Sequence, residues 1–171
     1  MNLQADDFAL FALERRFAQD AGQIDARWKD LQRQAHPDRF VTEGGAAQRI
    51  AMQWSVRINE AHQRLKDPVK RAALLCELGG QPIAAHTNTA MPAAFLVQQM
   101  QWREALEEAG TLAAVEALHD EVLAFHKAQL AQLAQLIDVA PDLAQAAQVV
   151  RGLMFVEKFL LDLQLAFERY E

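Results

Sequence analysis

Apolar residues recur along this chain at helical spacing, with no segment that alternates as a half-buried strand would. Ile24, Trp28, Leu31 and Ala35 share one face of a 3.6-residue period, with Lys29 and Arg33 opposite and Arg27 on the flank. Ile50, Trp54, Ile58, Ala61 and Leu65 form a second stripe, and a short helix with Phe8 and Leu13 precedes both. Pro37 donates no N–H and pushes His36 out of helical geometry, so the first stripe must end there. The polar run Thr42-Glu43-Gly44-Gly45 separates the two helices. Packed antiparallel on their stripes, they hold His36-Pro37-Asp38 at an exposed tip, where binding residues concentrate.

The second half has a different rhythm. Gly79-Gly80-Gln81-Pro82 and the polar residues up to Thr89 interrupt the helical pattern and read as a short linker. Three long helical stretches follow. Pro92 opens the first and Gly110 closes it; Thr111 caps the second; Pro141-Asp142 starts the last. The middle stretch carries Leu112, Val115, Leu118, Val122, Phe125, Leu130, Leu133 and Leu136. The last carries Val149, Leu153, Val156, Leu160, Leu163 and Phe167. Short loops between three helices predict an antiparallel bundle, and the whole chain reads as all-α.

One of these helices has two apolar faces. Phe95, Trp102, Leu106 and Ala109 cluster on a helical wheel as the core side, with Gln99 at its edge. Leu96, Val97 and Met100 lie well away, among Gln101, Glu104, Glu107 and Glu108. An apolar patch ringed by acids is either a partner-binding face or a second buried face against the first domain. Phe155 also lies off the main stripe of the last helix.

Composition narrows the class. At 171 residues, 51% of them hydrophobic, the chain has material for one domain or two small ones. Mean hydropathy is −0.11, and no apolar run approaches the length of a membrane span. The start shows no cationic-then-apolar signal pattern, so a cytoplasmic protein is expected. The single Cys76 sits among Ala72, Ala73, Leu74, Leu75 and Leu78 and reads as a small core residue. Positions 1–75 hold 12 Lys/Arg against 10 Asp/Glu, whereas 76–171 hold 5 against 13. The halves therefore face different partners, the first acidic and the second basic or metal-bearing. Neither concentrates the positive charge that nucleic acid demands.

His36-Pro37-Asp38 between two such helices, with Ile58-Asn59-Glu60-Ala61, Leu65, Asp67-Pro68 and Arg71-Ala72 after it, resembles a J-domain over residues 1–78. Ala12 stands where that family often has Gly, and His62 and Leu74 where Tyr is common; these are expected to concern packing. The resemblance implies that the module stimulates ATP hydrolysis by a 70-kDa-type chaperone. Asp38 would present its carboxylate to an arginine of the ATPase, and His36 and Pro37 would stiffen the loop. Arg27, Lys29 and Arg33 would steer the acidic partner.

The segment from Ala94 to Glu108 resembles the client-binding segment of HscB-type co-chaperones of iron–sulfur cluster assembly, and the similarity in layout spans the chain. It implies a J-domain (1–78), a linker (79–90) and a three-helix bundle (91–171) that holds an IscU-like scaffold protein and brings it to an HscA-like chaperone. By matching positions, Leu96, Val97, Met100, Glu104, Glu107 and Phe155 would form the scaffold-binding face. Gln101 stands where an acid can occur. The cluster would belong to the scaffold, so no cofactor and no catalysis are expected of this chain.

Three other readings carry their own signatures. A J-domain protein serving a different client shares the entire first half. A metal-dependent bundle would use Glu116-Ala117-Leu118-His119, but it needs a second such pair and two further ligand helices. A helix-turn-helix DNA reader conflicts with the long inter-helix loop and a net charge of −6.

Overall fold

The computed structural model describes residues 2–170 and divides into two compact units, 1–75 and 76–171. Among the described residues there are seven α-helices and no strand. In the first unit, α1 (Asp7–Leu10) is a single turn whose N-cap, Asp6, accepts from the Ala9 N–H at 3.0 Å. It stops because Ala12 adopts a left-handed φ of 52°, which leaves Leu13 outside the helix. That geometry explains why glycine suits position 12: the constraint is on the backbone, not on packing.

Helices α2 (Ala21–Ala35) and α3 (Gly45–Lys66) form the expected antiparallel hairpin. Contacts follow one antiparallel register, with 25 against 62, 28 against 59 and 32 against 55. Ile24, Ala35, Ile58, Ala61 and Leu65 are buried, as their stripes require. The α3 stripe differs at its start. Ala51 points inward, while Ile50 is 53% exposed, at the rim of a cleft of about 290 Å³ that Ala35, Phe40 and Trp54 also line. Helix α4 (Pro68–Leu78) adds Val69, Ala72 and Leu75 to this core.

Charge fixes what the small core cannot. Asp7, buried at the start of α1, pairs with Arg57 at 2.7 Å and with Arg64 at 2.6 Å, pinning α1 to α3. Arg71 is buried too: its guanidinium donates to the carbonyls of Phe17 and Leu65 and lies over the Phe17 ring.

The second unit is the bundle: α5 (Ala93–Glu108), α6 (Leu112–Ala134) and α7 (Leu143–Phe167). Thr111 and Asp142 cap α6 and α7 by accepting from Ala114 N–H and Gln145 N–H. A π-helical turn, Gln135–Val139, ends the α6 segment, and Leu112 at its other end is 41% exposed. Trp102 stacks on Phe159 and meets Phe125 edge-on; Phe125 meets Phe95 edge-on. The Phe95 ring packs directly on Gly152, where an added Cβ would come within 2.4 Å. Residues 79–92 have no helix, yet they are tied down. Ile83 is buried, and the Arg151 guanidinium of α7 donates to the carbonyls of Pro82, Ile83 and Ala90.

Candidate functional site

Two surfaces present the residues singled out from the sequence, one on each unit. At the end of α2, His36 takes the extended geometry that Pro37 imposes (φ −63°, ψ 127°). The chain then winds through 3-10 turns, Pro37–Glu43, instead of an irregular loop. Gly44 ends them with φ 95°, a conformation open to glycine. His36 folds over the turn it starts: its Nδ1 accepts from the Asp38 N–H at 3.3 Å and lies 3.6 Å from the Asp38 carboxylate. The Asp38 side chain remains 86% exposed, so most of its acceptor capacity faces solvent.

Arg27, Lys29 and Arg33 are exposed on α2. Arg33 pairs with Asp30 one turn earlier, which offsets part of its charge locally. Arg39, which the sequence reading passed over, donates from Nη1 to the Arg33 carbonyl at 3.1 Å. It satisfies one orphan carbonyl at the end of α2 and latches the tip turns to that helix. A basic residue just past a helix stop was the available signal. Behind the tip, the hairpin is joined by a polar ladder. Trp28 Nε1 and Gln32 Nε2 both donate to Asn59 Oδ1, and Ser55 Oγ donates to Gln32 Oε1.

Farther down the hairpin, His62 stacks on Trp28 and bonds Asp25 at 2.8 Å, while Lys66 reaches the same carboxylate. The hydrogen bond from His62, then that from Lys66, holds the Asp25 carboxyl below its ordinary value.

On α5 the two faces predicted by the wheel separate cleanly. Phe95 and Trp102 are buried, whereas Leu96, Val97 and Met100 are 52%, 55% and 73% exposed. Glu104 and Glu107 are exposed on the same helix. Phe155 is half-buried on α7. It lies three residues after Gly152 and four before Phe159, the residues that meet Phe95 and Trp102, which puts it on the α5-facing side of α7.

Other candidate chemistry resolves into packing. His119 packs edge-on against Phe167, and His126 bonds Glu157 at 3.2 Å. Among the described residues, no three His, Cys, Asp or Glu side chains converge as metal ligands. Burial pushes the Cys76 thiol up to about 11, with the Arg151 cation acting in the opposite sense. Among the same residues, no helix is long and apolar enough to cross a membrane.

Residues 91–164 match the family model described as the HSCB C-terminal oligomerisation domain. The chain is 44% identical over 174 residues to the co-chaperone protein HscB homolog of Burkholderia thailandensis, covering 100% of this chain and 99% of that protein. It is 48% identical over 166 residues to the Bordetella petrii homolog, with 96% and 98% covered. Among solved structures, chaperone HscB from Vibrio cholerae superposes with a TM-score of 0.84 at 30% identity, over 98% of this chain and 100% of that one. Human co-chaperone protein HscB gives 0.89 at 25% identity, over 97% and 84%.

Proposed function

The chain belongs to the HscB family of co-chaperones, and from that premise we propose that it carries an IscU-like iron–sulfur scaffold protein to an HscA-like chaperone and stimulates that chaperone's ATP hydrolysis. The observation that carries this reading is the division of exposed chemistry between the units. An ionic tip stands on the first, and an acid-rimmed apolar face on the second.

At the tip, Asp38 offers two carboxylate oxygens to a guanidinium of the ATPase, a pairing stronger than a neutral hydrogen bond. His36 and Pro37 limit the conformers from which Asp38 must be selected. Arg27, Lys29 and Arg33 raise the rate of encounter with an acidic partner more than they tighten the complex. On the bundle, Leu96, Val97 and Met100 supply apolar area that a client dehydrates, and Phe155 adds to it from the α5-facing side of α7. Glu104 and Glu107 select a client with basic residues around its contact. The cluster travels as the scaffold's cargo, and the hydrolysis occurs in the ATPase, so this chain needs neither cofactor nor catalytic group. A reducing compartment, the cytoplasm, suits a chain whose one thiol is buried.

The test is steady-state ATP hydrolysis by the HscA-like chaperone, with and without scaffold and this protein. Synergistic stimulation is expected. Asp38→Asn should abolish it while scaffold binding survives; paired Leu96→Ala and Met100→Ala should weaken scaffold binding while scaffold-independent stimulation survives. Stimulation indifferent to the scaffold would reassign the bundle to another client, and none at all would reduce the tip to a helix stop.

A further inference from the structure

We propose that Arg151 is a positioning residue for the client face of α5, a role that rests on the scaffold-binding reading above. The helix bearing Leu96, Val97 and Met100 has no cap of its own. Pro92 occupies the N-cap position and makes no side-chain hydrogen bond there, unlike Thr111 and Asp142 at the starts of α6 and α7. The segment that leads into it is non-helical, and Ile83 is its one buried apolar side chain. Left to itself, such a segment would let the first turns of α5 wander.

Arg151 supplies the missing constraint. Only 7% exposed, it donates from Nε to the Ile83 carbonyl at 2.9 Å and from Nη2 to the Pro82 carbonyl at 3.1 Å. Its Nη1 reaches the Ala90 carbonyl, also at 3.1 Å, two residues before the N-cap. The next residue, Gly152, receives the Phe95 ring at a distance no side chain would permit. Two consecutive positions on α7 thus hold the start of α5 twice: by its leading backbone and by its first core ring. Leu96 follows Phe95 directly, so the orientation of the exposed face is set here. The rigid guanidinium fork reaches three carbonyls together, which a lysine ammonium on a flexible stem does not reproduce. A preset face binds without first selecting its competent conformer.

The experiment measures the scaffold concentration that gives half-maximal stimulation of the HscA-like ATPase, using the full chain. Arg151→Met keeps the apolar stem while removing the fork. Its half-saturating scaffold concentration should rise roughly tenfold, as for a face whose competent conformer falls to about a tenth of the population. The plateau at saturating scaffold should be unchanged. Adding Pro92→Ser, which gives α5 its own cap, should recover much of the loss, a rescue that a general folding defect would not show. Unchanged half-saturation would overturn the role, as would a lowered plateau accompanied by a lowered melting temperature without rescue. Absence of scaffold-dependent stimulation by the unmodified chain would instead overturn the scaffold reading, and this role with it.

Discussion

In residues 1–75, ionic or polar contacts join the apolar stripes in locating one helix against another: Asp7 with Arg57 and Arg64, Asp25 with His62 and Lys66, Arg71 with two carbonyls. In residues 76–171 the corresponding work falls mainly to rings, with Phe95, Trp102, Phe125 and Phe159 linked in a chain of contacts, joined by the polar contacts of Trp102 with Glu121 and of His126 with Glu157. At α1, helix length accounts for the difference. A four-residue α1 contributes one large buried ring, Phe8, too little area to choose a docking angle. Helices of 16, 23 and 25 residues bury continuous stripes that select their own packing. Where apolar area is scarce, directional bonds set position; where it is plentiful, shape does.

The sharpest way to break this comparison is Trp102→Ala. It should cost about 3–5 kcal/mol, the usual loss for a buried large aromatic, read by urea unfolding followed by helical circular dichroism. A loss below roughly 1 kcal/mol would mean that the rings do not anchor the bundle. Asp7→Ala comes next, at about 3 kcal/mol, because it removes the buried carboxylate that two partly buried guanidinium groups share. Hydrogen exchange should speed up in α1 and α3 and stay unchanged in α5 to α7; a uniform change would erase the contrast between units. Ala12→Gly runs the other way, stabilising by about 0.5 kcal/mol through relief of the left-handed backbone. A fall in melting temperature would show that residue 12 is limited by packing after all.

The smallest effect is acid sensitivity. The native Asp25 carboxyl lies below its ordinary 3.8, so its contribution is present above that pH and lost as pH falls through the native value. Asp25→Asn should therefore differ most from the unmodified chain near neutrality, with the gap in melting temperature closing below pH 3.8. A gap constant with pH would place the role of Asp25 in packing.

How legible all this is in the sequence depends on the range of the signal. Helix ends announced themselves: Pro37, Thr111 and Asp142 act within three residues, through sterics or caps that depend on residue type alone. The exposed side of α5 was legible as well, because a wheel separates Phe95 and Trp102 from Leu96 and Met100 without tertiary knowledge. Arg71 and Arg151 were not. Their partners are backbone carbonyls up to 54 and 69 positions away, and a carbonyl leaves no trace in residue identity. Ile50 failed for a related reason: the pattern admits either Ile50 or Ala51 at the inward position, and the fold buries Ala51 and leaves Ile50 exposed.

The ladder of Trp28, Gln32, Ser55 and Asn59 makes the hairpin a lever. Apolar stripes let paired helices slide, since one buried methyl can replace another after a small translation. Here a slip of one turn, about 5.4 Å, would strand Gln32 and Asn59 together, so axial shear meets several bonds at once. Load applied at the tip therefore travels along two helices as along one rod. A partner that pulls on Asp38 moves the base of the hairpin instead of stretching its end.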